Sequence, residues 1–544
     1  MPFTVTPSPK GFPPLDTSAV ETTMARKDVD ARHPEWTARQ DLWFNVGVLY
    51  EGGHLIKQHA ERFLPKRPRE DSSVYAHRLA HFTYENHMGT GLGWHEAEMF
   101  KRPPTITIKV ADADGQPTEA TLSPEQEDFY SRVQKDCDRH GTALVDQCRK
   151  VFNDLLLYQH SWILTDMPVQ PEAGINSLAD QKAKRLLDPF TQVVSPMQVI
   201  NWDCDDYGNL IWAVIYTKAT TRAFGKAPVT VERWYLLDQQ TFRVYEAEDR
   251  GDAQSAVDRD KQPVNLVRIG YHALAAKGRV PLSRISVQPG WWMGNRTYLT
   301  ALEHVDVSNS LKWSLKMAAL AMPVIITNDD ITQLHQSEGG FFKMSAEQGA
   351  NYKFAEPSGT CWEHLANKAA ASKEEIFRSL YLISQARTNK ATASAQSGVS
   401  KQQDMKPSHD VLNGIGDVLR CAIQGTLDNI AAARALIPGF ESDANLVFDV
   451  RGFTFEDSVT VDEVDTISGV HALKVPSKTF EKEVDKLVVQ AVLPDMNPEM
   501  KTAIFREIDA APTRGELEQQ QQEAEADRLS ASLNAAVNQG KGAR

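Results

Sequence analysis

The chain has 544 residues, with 59 Lys and Arg against 72 Asp and Glu, a formal charge of −13. That length suits several domains or one long composite subunit, and the acidic balance excludes a protein that grips nucleic acid by broad counterion release. The five cysteines (Cys137, Cys148, Cys204, Cys361, Cys421) are odd in number and form no CxxC pair, the pattern of reduced thiols rather than of a zinc site or a disulfide framework.

Residues 1–34, opening on MPFTVTPSPKGFPPLD, carry no apolar run and read as an extended N-terminal arm, not a signal peptide. Trp36, Leu42, Trp43, Val46, Leu49 and Tyr50 recur at helical spacing within 35–63, and a second helix is expected over 73–100. TITIKVADADGQPTEATL (105–122) reads as a hairpin around a glycine turn. Helices return over 124–158 with a break near Gly141, and SWILTDMP (161–168) reads as a buried strand. PMQVINWDCDDYGNLIWAVIYTKA, VERWYLLDQQTFRVYEAE and NLVRIGYHAL then alternate apolar and polar residues, which suits a half-buried antiparallel sheet.

A long helix is expected over 298–321, with Val307, Leu311, Leu315, Ala318 and Met322 on one apolar face and Pro323 ending it. A compact insert follows, then a second helix over 365–386 with Ile376, Leu380 and Ile383 on one side. QARTNKATASAQSGVSKQQDMK (385–406) has no aromatic residue and no carboxylate before Asp404. A third long helix, from Lys406 or Ser408 to Leu436, is striped by Leu412, Ile415, Leu419, Ile423, Leu427 and Ile430, and Pro438-Gly439 ends it. NLVFDVRGFTF (445–455) reads as a returning strand and 458–510 as further helix broken at Pro476 and Pro494. The remainder, rich in Gln, Glu and Ala, reads as a flexible tail. No apolar run reaches 18 residues, so no membrane span is expected.

No enzyme signature stands out. His77 and His81 share a helix face in HRLAH, but the HExxH zinc pattern needs Glu where Arg78 stands. Joined by Glu85 or His95, the pair gives the alternative reading, a metal-dependent hydrolase. MGTGLGW (88–94) matches no phosphate loop and reads as a break between helices. DCDDYGN (203–209) imitates the start of a calcium loop, yet Val214 stands where that loop needs Glu, and a hairpin turn accounts for it. No catalytic residue and no cofactor is assigned.

The order of these pieces is more informative than any motif: α/β region, long helix, compact insert, long helix, polar loop, long striped helix, returning strand, helical end. In this order the chain resembles the portal proteins of tailed bacteriophages, the head-to-tail connectors. Residues 36–104 look like the opening of a portal family long catalogued as a domain of unknown function. They carry an aromatic-rich helix, a glycine pair, FLPK, a Y-x-x-R element (Tyr75 to Arg78) and a helix ending in KRPP. TASAQSGVS (392–400) looks like the junction between a portal tunnel loop and its long helix, although acids often seen near the Ser-Gly pair are replaced here by amides.

The resemblance implies an α+β portal fold, mainly helical with antiparallel β elements. In it 1–34 is the arm, 35–297 the wing, 298–321 and 365–386 the stem helices, and 322–364 the clip. Residues 387–401 are the tunnel loop, 402–457 the long helix and returning wing strand, 458–515 the crown, and 516–544 the tail. It further implies a homo-oligomer, a dodecamer, forming the ring at the capsid vertex through which double-stranded DNA is packaged and ejected. The terminase large subunit and then the head–tail adaptor would dock to it, the major capsid protein and a scaffolding protein would surround it, and no membrane would be involved. It would assemble in the host cytoplasm, reside in the virion at the portal vertex, and catalyse nothing itself. The DNA-channel candidates are then Arg387, Asn389, Lys390, Thr392, Ser394, Gln396, Ser397, Gly398 and Lys401. Small and amide residues let many copies crowd one axis, and Arg387, Lys390 and Lys401 give a modest basic rim. Twelve chains would carry on the order of −156 formal charges, twelve times −13; such a wall repels a duplex and centres it, where a basic wall would bind phosphates and stall it.

Overall fold

The structure is a computed structural model. It describes residues 4–6, 12–18, 20–112, 116–118, 120–168, 178–222, 224–225, 227–248, 260–318, 322–326, 351–355, 360–382, 398–455, 477–492, 498–512, 526 and 528–531. The chain divides into two compact units, Met1–Thr454 and Phe455–Arg544.

The first unit mixes helices with antiparallel sheets. Its largest sheet is seven-stranded, in the order β1 (Thr4–Val5), β10 (Pro263–Tyr271), β9 (Thr241–Glu248), β8 (Val229–Leu237), β7 (Leu210–Thr221), β6 (Val199–Cys204), with β2 (Thr23–Ala25) also on β10. The β6–β7 turn is the one expected at DCDDYGN: Gly208 adopts φ 84°, and Asp205 Oδ1 accepts from the backbone N–H of Tyr207 and Asn209 at 2.9 and 2.8 Å. The sheet is not half-buried, as alternation suggests. Around β7 both faces are covered, with Val214 packing beside Trp234 and Tyr245, and Ala213 and Ile215 beside Trp162 and Trp202.

The described parts of the arm are not free. Thr4 and Val5 pair in parallel with Arg268 and Ile269, and Thr23–Ala25 pair antiparallel with Asn265–Pro263. They satisfy the outer edge of β10, whose amides and carbonyls would otherwise face solvent unpaired. The hairpin expected at 105–122 is also different. The local pairing is present but short, with Ala111 bridging Pro117 and the Thr118 N–H donating to the Val110 carbonyl at 2.8 Å, while β3 (Thr105–Val110) pairs along its length with β14 (Leu446–Arg451), from Leu446↔Val110 to Arg451↔Thr105. A strand over 300 residues away supplies the partner, so no local signal could announce it. A third sheet has the order β11 (Leu282–Ser286), β4 (His160–Asp166), β5 (Phe190–Val194).

The main helices of this unit's N-terminal part are α1 (Pro34–Glu51), α2 (Ser72–Ala80), α3 (His87–Met99), α4 (Pro124–Lys135) and α5 (Leu144–Tyr158). Local chemistry sets their starts. The His33 ring caps α1 ahead of Pro34, Asp71 caps α2, and Ser123 with Gln126 makes a capping box on α4. The Y-x-x-R element locks α2 to the chain before it: buried Arg78 makes two bonds to Glu70, at 2.9 and 2.8 Å, and a third to the Pro65 carbonyl at 2.9 Å. The hydrogen bonds from Arg78 hold the Glu70 carboxyl down at about 2.

MGTGLGW is no break: all of it is helical, inside α3. A Cβ on Gly91 would stand 2.4 Å from Leu380, and one on Gly89 would stand 2.6 Å from the Tyr50 carbonyl. These glycines trade helix propensity for close approach of neighbouring elements.

Three longer helices follow in this unit: α6 (Met293–Ala318), α7 (Thr360–Ser379) and α8 (Gly398–Arg434). Between α6 and α7 lie β12 (Met322–Ile326) and β13 (Asn351–Ala355), paired antiparallel from Met322↔Ala355 to Ile326↔Asn351. The stripe read for α8 is its buried face: Leu412, Ile415, Leu419, Ile423, Leu427 and Ile430 are each at most 3% exposed. The second unit contains α9 (Lys478–Val492) and α10 (Pro498–Ala510), joined by Lys486 to Asp509 at 2.8 Å. The expected breaks at Pro476 and Pro494 lie outside the described residues.

Candidate functional site

The residues of interest are those flanking the polar segment between α7 and α8. α6 and α7 run antiparallel, with Glu303 Oε1 2.7 Å from Lys368 Nζ and Ser372 Oγ donating to Glu303 Oε2 at 3.2 Å. Burial is concentrated at the α7 root, in Ser372, Ile376, Phe377 and Leu380. None of residues 361–371 is buried.

α6 does not bury the face its apolar spacing suggests. Val307 and Leu311 are half-buried, and Leu315 is 46% exposed. The inward face instead holds Ala301, His304, Val305, Ser308 and Asn309. These polar groups are satisfied internally: Asn309 accepts from the Thr83 N–H at 3.0 Å and donates to the Thr83 carbonyl at 2.9 Å. The side chains of Met317 and Ala318 and the expected face beyond them lie outside the described residues.

α7 ends abruptly. The Leu382 N–H reaches back to the Phe377 carbonyl at 2.9 Å and the Tyr381 N–H to Arg378 at 3.0 Å, a Schellman motif. Its left-handed position is filled by Tyr381, at φ 61°, where glycine is usual. Arg296 stacks over the Tyr381 ring at 4.4 Å and hydrogen-bonds its hydroxyl, which holds the strained residue in place.

One buried histidine touches both feet of the polar segment. His95 Nε2 donates to the Leu380 carbonyl at 2.7 Å, and Ser408 Oγ lies 3.4 Å from His95 Nδ1. A carbonyl only accepts, so Nε2 carries the proton and Nδ1 is left to accept from Ser408. Burial pushes this imidazole down to about 4, so it is neutral at pH 7. Local sequence gives no sign of this role; the one available hint is Gly91, one helical turn earlier, which opens room for Leu380.

Of the channel candidates, Arg387, Asn389, Lys390, Thr392, Ser394, Gln396 and Ser397 lie outside the described residues. Gly398 and Lys401 are in the first turns of α8, not in a loop: the helix starts eight to ten residues earlier than expected and runs through Pro407. Pro407 cannot donate to the Gln403 carbonyl, which is why sequence alone favours a start after it. The helix formers around it, Lys401 to Lys406, carry the helix across.

The hydrolase set does not form a site. His81 Nε2 is 2.8 Å from the Lys316 ammonium and its Nδ1 is 2.8 Å from the His77 carbonyl. His77 packs edge-on against Trp313, and His95 is committed to Leu380 and Ser408. A cavity of about 710 Å³, lined by Leu164, Asp166, Ile215, Tyr235, Phe242 and Arg268 among others, includes none of His77, His81, Glu85 or His95. A different trio is brought together: one donor atom each from Glu85, His87 and His304 lies within 4.8 Å of the other two. Burial lowers both imidazoles, His304 to about 4, and keeps them uncharged near neutral pH.

No family profile matches the chain, and no curated protein does. Among solved structures it is similar to a chain in the neck of an empty gene transfer agent particle computed with C6 symmetry. That match has 10% identity and a TM-score of 0.37, and covers 78% of this chain and 96% of that one. It is also similar to a chain in the virion of a native gene transfer agent particle, with 10% identity and a TM-score of 0.31, covering 83% and 96%.

Proposed function

We propose that the chain is a portal subunit, many copies of which stand in a ring around a channel for double-stranded DNA. The observation that carries this reading is the antiparallel α6–α7 pair and the start of α8, which leave one polar segment between two fixed feet. Leu380 on one side and Ser408 on the other meet at His95. A loop anchored this way can project at a passing duplex while its base stays still. The small side chains from Ala391 to Gly398 suit crowding around one axis.

A second support is what a lone chain leaves unburied. Leu315 on α6 and the absence of buried residues over 361–371 of α7 leave helix surface for neighbouring copies. In this reading α6 and α7 are the stem. The β12–β13 pair belongs to the clip that receives the terminase large subunit and then the head–tail adaptor, and the capsid protein surrounds the wing. The ring is a conduit without catalysis, and a partner ATPase supplies the work of packaging.

The test is electron microscopy of the purified chain, alone and after assembly with its capsid protein. Closed rings with a central hole are expected, with twelve copies the expected number. Monomers and dimers alone under both conditions would overturn the proposal.

A further inference from the structure

The Glu85, His87 and His304 cluster supports an inference that does not depend on the portal reading. His87 opens α3, Glu85 lies two residues before it, and His304 sits in the middle of α6. His87 Nε2 is buried with no hydrogen-bond partner, and Glu85 Oε2 is 3.4 Å away. That is longer than a good hydrogen bond. It is, however, close to the separation of two ligands on a tetrahedral zinc ion, about 3.4 Å for metal–ligand bonds of about 2.1 Å. The His87 and His304 rings are 4.9 Å apart at 74°, edge to face.

We propose that Glu85, His87 and His304 bind one divalent transition-metal ion of the zinc type, which ties the start of α3 to α6.

The surroundings fit such a role. The other carboxylate oxygen, Glu85 Oε1, receives Lys312 Nζ at 2.9 Å, and the same ammonium meets Thr83 Oγ1 at 3.0 Å. The carboxylate is therefore held in orientation from behind, with Oε2 left toward the histidines. Ser308 Oγ lies 3.3 Å from His304 Nε2 and steadies that ring, and Phe377 covers His87 at 5.9 Å between centroids. Two imidazoles and one carboxylate are the donors of zinc, nickel or cobalt rather than of magnesium or calcium. Lys312 and Lys373 nearby weigh further against hard cations, which depend on charge more than on nitrogen donors. The neighbouring His77–His81 pair is the contrasting case, because both ring nitrogens of His81 already have partners. With three protein ligands the fourth position falls to water.

A bound ion would fix the root of the α6–α7 pair. His304 adjoins Glu303, which holds Lys368 and Ser372 of α7. α3 meets the same pair again at His95.

The experiment uses the full chain stripped with a chelator, titrated with Zn²⁺ by calorimetry and with Co²⁺ by visible absorption. One Zn²⁺ per chain is expected, with the strong d–d bands of four-coordinate Co²⁺. Glu85→Gln and His87→Gln should each weaken Zn²⁺ binding about tenfold or more, while His77→Ala leaves it unchanged. Circular dichroism of each variant checks that it is folded. Failure to take up one ion per chain would overturn the proposal, and so would uptake that His77→Ala abolishes while Glu85→Gln and His87→Gln spare it.

Discussion

α8 and the α6–α7 pair are both long helical stretches, but they bury their apolar residues in different ways. α8 places Ile415, Leu419, Ile423 and Ile430 almost wholly inside its own chain, and its end is locked by an ion pair. Arg434 Nη1 donates to Asp443 Oδ2 at 2.7 Å, between the rings of Phe129 and Phe440 at 4.0 and 4.2 Å. Gln126 Nε2 and the Tyr130 hydroxyl bond the same carboxylate at 2.8 and 3.2 Å. The α6–α7 pair leaves Leu315 46% exposed and has a polar inward face. One region buries its stripe within a single chain; the other leaves part of its apolar surface open.

The largest expected effect comes from breaking the α8 anchor. Asp443→Ala leaves the Arg434 guanidinium buried without its counterion and should cost about 3–5 kcal/mol, read from chemical denaturation. Leu419→Ala opens a cavity in the α8 stripe and should cost about 2–5 kcal/mol. If either variant is as stable as the parent, α8 is not the intramolecular support described above.

Acid sensitivity gives a second handle, because several histidines are buried. His95, His272 and His304 are pushed down to about 4 and His160 to about 3, each chiefly by burial. Their folded values lie below the unfolded value of about 6.5. The unfolded chain therefore takes up protons first, and this stability is present above pH about 6.5 and lost as pH falls toward 4. Asp154, pushed up to about 7 by burial, has the opposite sign: its contribution is lost as pH rises from about 4 to 7. Asp154→Asn should thus stabilise the protein at pH 8, on the order of 2 kcal/mol, and steepen the loss in acid. An unchanged pH–stability profile would contradict the half-buried, hydrogen-bonded placement of Asp154 beside Ser161 at 2.8 Å.

The smallest effect on stability, and the most telling for the comparison, is at Leu315. Leu315→Ser should change the stability of the isolated chain by less than about 0.5 kcal/mol, yet reduce ring formation, measured by light scattering at matched concentration. A clear loss of monomer stability would show that this face is already buried within one chain.

What could be read from sequence follows the same division. The α8 stripe was legible because each of its apolar residues is buried by neighbours in the same chain, so spacing and burial coincide. The α6 spacing misleads because the inward face is polar: Ser308 meets His304 within the helix, and Asn309 bonds the Thr83 backbone across to a neighbouring segment. Local propensity placed a break at MGTGLGW, where close approach of Leu380 and Tyr50 instead requires glycine inside a helix. The pairing of β3 with β14 and of the arm with β10 joins segments far apart in sequence, and no local pattern encodes it. Sequence offers His95 only as a candidate metal ligand; its position between Leu380 and Ser408 exists only once three helices meet.

The most direct test of the central claim is a reconstruction of the assembled particle by electron microscopy, fine enough to trace α7 into α8. The account predicts a ring in which residues 387–401 of every copy line a central hole and His95 sits at the base of each loop. A solitary globule, or a ring with that segment on its outer surface, would contradict it.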